Sequence, residues 1–129
     1  MATLDDAAKH ALRLPEVVEG LRYDNRTWSV AGKAFAWERP FSKADIKRFG
    51  DIPPREGPII AVRLADLNDK EAVLAEDRPG VFTIPHFDGY AAVLIELDAT
   101  TPEVLHELIE DGWLACAPLR LAEVYHNGS

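Results

Sequence analysis

The sequence predicts a two-layer α+β domain, with a mainly antiparallel sheet of about five strands and the terminal helices packed on one face. Three observations lead there. Turn signals join short β-prone runs into hairpins, helical stripes open and close the chain, and no regular strand–helix alternation of the doubly wound kind occurs. The chain has 129 residues, 47% apolar and 28% charged, which suits a single domain over 1–129. A chain of this length buries roughly two thirds of its unfolded surface and needs no metal or disulfide staple.

Thr3-Leu4-Asp5-Asp6 is an N-cap with a carboxylate three residues on, and a helix over about 4–13 follows. Leu4, Ala7, Ala8, Ala11 and Leu12 make its apolar stripe, and Leu14-Pro15 ends it. The stretch 15–26 reads as polar and irregular. Residues 27–30 and 33–37 then form a hairpin around Ala31-Gly32, with Gly32 supplying a positive φ. Strict alternation pairs Trp28 with Val30 on one face, and Phe35 with Trp37 on one face.

Arg39-Pro40 stops that strand, and Ser42-Lys43-Ala44-Asp45 opens a short helix ending near Gly50. Three prolines and a glycine make 51–58 a loop. Residues 58–64 are a strand, and Asp66 or Asn68 caps a helix to about residue 76. Asp77-Arg78-Pro79-Gly80 turns the chain. Residues 81–87 and 90–97 flank Asp88-Gly89, a tight-hairpin signal, and 91–95 is apolar on both faces, as a covered central strand would be. Thr100 or Thr101 caps the last long helix, with Pro102 in its first turn; Pro118 closes it, leaving a short, frayed tail.

The net charge is −8, which taken whole opposes non-specific binding to DNA or an anionic membrane. Its distribution is uneven: residues 33–63 carry +3 and the remainder −11. In that basic segment Lys33, Arg39, Lys43, Lys47, Arg48 and Arg55 are candidate phosphate contacts. Lys43, Lys47 and Arg48 sit at helical spacing, and the bland alternative is a solvated face paired with Asp45 and Glu38. Trp28, Trp37, His86 and Tyr90 are candidates for an aromatic pocket, against a purely structural role in the core.

The four histidines show no helical zinc spacing, and the single Cys116, between two alanines, reads as a small core residue. Glu16, Glu19 and Asp24 form an acidic group without calcium-loop spacing. Nucleotide-loop and nucleophile-elbow motifs are lacking. The expectation is a non-enzymatic binding module with no cofactor and no metal site. Its partner would be nucleic acid, bound weakly and without sequence specificity, or a small molecule or partner protein. No membrane partner is expected, and monomer and homodimer both stay open. With no secretory leader and no apolar run of about 20 residues, the expected compartment is the cytoplasm.

Four segments also resemble the MmcQ/YjbR family of small bacterial proteins: Leu14-Pro15-Glu16-Val17 with Glu19; Val30-Ala31-Gly32-Lys33-Ala34-Phe35; Phe82 through His86-Phe87-Asp88-Gly89-Tyr90; and Gly112-Trp113 with Ala117-Pro118-Leu119-Arg120-Leu121. Together they span about residues 7–122. The resemblance implies a YjbR-like, secretion-chaperone-like fold and a DNA-binding role in which hairpins act as wings. Where such proteins usually carry a basic residue after the proline, this chain has Leu119.

Overall fold

The computed structural model describes residues 2–22, 25–39, 58–84, 87 and 89–128, with side chains to residue 125. Helix α1, Leu4–Leu12, opens the fold. The Thr3 hydroxyl accepts from the Asp6 amide and the Asp6 carboxylate accepts from the Thr3 amide, a complete capping box. Strands β1 (Val17–Arg22), β2 (Asn25–Val30), β3 (Lys33–Glu38) and β4 (Ile59–Arg63) follow. Helix α2 (Leu67–Ala75) precedes β5 (Val81–Phe82) and β6 (Ala92–Glu96), and the chain ends in α3 (Pro102–Cys116) and α4 (Leu119–Gly128).

Among the described residues the sheet has six strands in the order β1-β2-β3-β4-β6-β5, every neighbouring pair antiparallel. The stretch expected to be irregular thus holds a full strand. β1 pairs with β2 from Val17↔Val30 to Arg22↔Asn25. It is an edge strand exposed at five of its six positions, so no buried face imposes the alternation that would reveal it.

The strands expected to flank Asp88-Gly89 do not reach it: Thr83, Ile84, Phe87 and Tyr90 lie outside the strands. β5 is two residues long, pairing Val81↔Ile95 and Phe82↔Leu94. Proline at position 85 has no N–H to offer a ladder. The Phe87 amide donates to the Ile84 carbonyl and the Tyr90 amide to that of Phe87. The tail is likewise a helix, because Leu121 enters the core and Tyr125 packs on Trp113 with ring centroids 5.1 Å apart. Asp66 and Thr101 are the caps of α2 and α3. The short helix expected after Ser42 lies outside the described residues.

Helices α1, α3 and α4 cover one face of the sheet. The core there gathers Trp28, Val30, Phe35, Ala36, Ile60, Val62, Val93 and Ile95 against Ala7, Leu105, Leu108, Ile109 and Trp113. Gly112 allows α3 to approach closely: a Cβ there would stand 2.8 Å from Val62 Cγ1 and 2.9 Å from the Phe35 carbonyl oxygen. A smaller cluster, Ile59, Ala61, Phe82, Ile84, Phe87, Ala92 and Leu94, lies on the opposite face with Trp37 against it. β6 lies between β4 and β5 with four of its five residues buried, as expected of a covered central strand.

A β-bulge decides which aromatics go where. The β2–β3 register runs Trp28↔Ala36 and then Ser29↔Ala34, so Phe35 is an extra residue in β3. Phe35 and its neighbour Ala36 are both buried in the helix-side core, and the alternation resets after them. Trp37 therefore leaves on the other face from Phe35, against the strict alternation expected from the sequence.

Among the described residues no helix is long and apolar enough to cross a membrane.

Candidate functional site

The face of the sheet opposite α1, α3 and α4 carries a cluster of rings and guanidinium groups. Trp37 comes from β3 and Arg39 follows that strand, its amide donating to the Ile59 carbonyl. Arg63 ends β4, and Phe87 and Tyr90 come from the segment joining β5 to β6. The Trp37 and Tyr90 rings lie 6.4 Å apart between centroids, and Phe87 and Tyr90 lie 5.5 Å apart, edge to face. The Arg39 guanidinium stands 5.6 Å from the Phe87 centroid and that of Arg63 stands 5.8 Å from the Tyr90 centroid. Both distances are within cation–π range. Phe87 is buried, Trp37 is half-buried, and Tyr90 and Arg63 are exposed.

Lys70 fixes this arrangement from behind. It projects from α2 and is buried, with Nζ donating to the carbonyl oxygens of Phe87 at 2.6 Å and Tyr90 at 2.8 Å. A buried ammonium is tolerated only when its donors are satisfied. Here the acceptors belong to the backbone that carries the two rings. Sequence reasoning passed over Lys70, since a lysine on a short amphipathic helix reads as solvated, and it took Phe87 for a strand residue.

The residues expected to contact phosphate divide three ways. Arg39 is in the cluster. Lys33 is exposed at the other end of β3, beside the β2–β3 turn. Lys43, Lys47, Arg48 and Arg55 lie outside the described residues. Arg63 was counted in the basic segment but not among the contacts, and it belongs to the cluster.

The expected pocket does not assemble as one unit. Trp37 and Tyr90 meet, and His86 lies outside the described residues. Trp28 is fully buried on the helix side, its Nε1–H donating to Glu19 Oε1 at 2.8 Å, so it faces away from the other two. That carboxylate also accepts from Arg26 at 3.0 Å, which gives Glu19 a structural role.

The Cys116 thiol is buried 4.0 Å from the Ala34 carbonyl oxygen, and burial raises its pKa, holding it in the unreactive thiol form. Among the described residues no group of three or more His, Cys, Asp or Glu gathers to hold a metal ion.

Comparison with known proteins places this geometry in context. The family model described as YjbR matches residues 12–115. Uncharacterized proteins of Mycobacterium tuberculosis and Mycobacterium bovis are each 44% identical to the chain, covering 97% of it and 96% of their own length. A crystal structure of a Deinococcus radiodurans protein with family-model domain DUF419 superposes with a TM-score of 0.59 at 19% identity, covering 100% of this chain and 83% of the other. That likeness shows the same α+β fold.

Proposed function

The chain belongs to the YjbR family, and on that footing we propose that it is a non-enzymatic module that binds single-stranded nucleic acid on the face of its sheet opposite α1, α3 and α4. The observation that carries this is the placing of Arg39 and Arg63 against one row of rings, Trp37, Tyr90 and Phe87. Bases stack on exposed aromatic faces whatever their sequence, while guanidinium groups meet the phosphates between them. Single strands offer free base faces, which a duplex does not. The reading joins the two sets of residues that the sequence suggested separately, through one member of the basic set and two of the aromatic set.

The tryptophans supply a direct assay. Of the three in the chain, Trp28 and Trp113 are fully buried, so quenching by a ligand reports on Trp37. Titration with oligo-dT at ~50 mM salt, where backbone binding is strong, is expected to quench the emission, and Trp37→Ala to abolish the effect. Arg63→Ala is expected to weaken binding and flatten its salt dependence. An unquenched parent protein at that salt refutes the proposal.

A second reading has its own support in the net charge of −8, which repels a long polyanion more than a short one. On that reading the cluster takes a small planar molecule with one or two acidic groups. A mononucleotide that quenches Trp37 as strongly as oligo-dT would favour it, because a single-strand groove gains affinity with length.

A further inference from the structure

His10 of α1 and His106 of α3 are 96 residues apart in sequence, yet their Nδ1 atoms lie 3.3 Å apart. The rings are tilted by 58° with centroids 5.1 Å apart. We propose that this pair is a two-histidine site for a borderline divalent transition-metal ion, Zn²⁺ foremost, that ties the first helix to the third.

Two observations converge. The first is the span. Two nitrogens each about 2.0–2.1 Å from a tetrahedral zinc ion stand about 3.3–3.4 Å apart, so an ion can enter between these rings with little movement of either helix. The second is the outer shell. Glu110 lies one turn beyond His106, its Oε2 3.8 Å from His106 Nε2, and the same oxygen accepts from the Tyr125 hydroxyl at 2.8 Å. At that distance the carboxylate is a charge beside the ring rather than a hydrogen-bond partner, and it favours a cation there. Burial, and then the neighbouring His106, lower the His10 pKa from its ordinary value of 6.5, with Arg13 adding to the lowering and Asp6 opposing it.

Imidazole ligands select Zn²⁺, Cu²⁺ or Ni²⁺ over Mg²⁺ and Ca²⁺, which take oxygen. His106 is about half exposed, so water can complete the coordination shell. The sequence hid the pair because neither histidine has a partner at helical spacing; packing of α1 on α3 creates the site.

The test uses the full chain, freed of metal with a chelator and then titrated with ZnCl₂ at pH 7.5. One Zn²⁺ per chain should bind in calorimetry and raise the Tm, while MgCl₂ does neither. His10→Gln and His106→Gln should each abolish both effects. Glu110→Gln should keep the site and weaken it less than either histidine variant does, since it removes a nearby charge and no ligand. Affinity should fall as pH drops, because protons compete with the metal for the ring nitrogens. If a variant unfolds, nitrogen chemical shifts of the parent decide the question: Zn²⁺ should move the Nδ1 signals of both histidines together. Binding that survives in the double variant, or its absence at millimolar Zn²⁺, overturns the proposal.

Discussion

Ala31 occupies the first corner of the β2–β3 turn with φ 51°, followed by Gly32 at φ 79°. Two successive positive φ values define the type I′ turn that suits a right-twisted hairpin, and alanine is a poor occupant of its first position. Ala31→Asn should therefore raise stability by about 0.5–1 kcal/mol, read as a higher midpoint in urea unfolding with an unchanged slope. The Ala31-Gly32 turn was legible from sequence because a glycine between β-prone runs is a local signal. His10 was not legible, since its environment is made by a helix at the other end of the chain. Its lowered pKa has a consequence for stability. The unfolded chain binds the proton more readily than the folded one, so stability is full above the unfolded value of 6.5 and declines as pH falls through it. In metal-free protein, the parent should lose more Tm between pH 7.5 and pH 5.5 than His10→Gln does. Equal losses would show that the pair carries no linked proton.

Among the elements, those with a short-range cause were readable. α1 and α3 begin where Thr3 and Thr101 accept from the amides three residues on, and such a cap is written in four consecutive residues. β1 was hidden because β2, its one sheet partner among the described residues, supplies its hydrogen bonds while most of its side chains face solvent. α4 was hidden because its apolar contacts, Leu121 and Tyr125, gain meaning only against Trp113 and the core. The β5–β6 connection lies between these cases: its turn residues were recognised, but not the ammonium that holds it. Lys70→Met keeps the helix and the bulk while removing both donors to that connection. About 1.5–3 kcal/mol of stability should be lost, the range for hydrogen bonds to charged groups. Iodide should also quench Trp37 more strongly as Tyr90 moves off it. A variant as stable as the parent would show that the two carbonyl bonds add nothing.

At the scale of the whole molecule, the sequence disclosed the α+β class and the one-sided helical layer, because composition and hairpin signals constrain architecture more tightly than register. The candidate site was half legible. Residue type marked Arg39, Trp37 and Tyr90, but only the folded sheet separates them from Trp28. Charge sets the limits of binding here. Two guanidinium contacts to a single strand correspond to a slope of log K against log salt of about −1.4, shallow beside proteins that clasp many phosphates. Binding to oligo-dT should follow that slope, and a duplex of equal length should compete poorly, as a filter-binding series in rising NaCl would reveal. A slope several times steeper would mean that basic residues beyond this cluster carry the contact. The extra residue in β3 bears on all of this. Because side chains alternate, one extra residue would turn every later side chain to the opposite surface unless a bulge absorbs it. Here the bulge absorbs it: with Phe35 removed, Ala34, Ala36 and Trp37 would still stand opposite Ser29, Trp28 and Thr27 in regular alternation. The strand thus lends one more ring to the helix-side core without disturbing its other surface, and a one-residue deletion there would cost the core Phe35 while leaving Trp37 on the face it now serves.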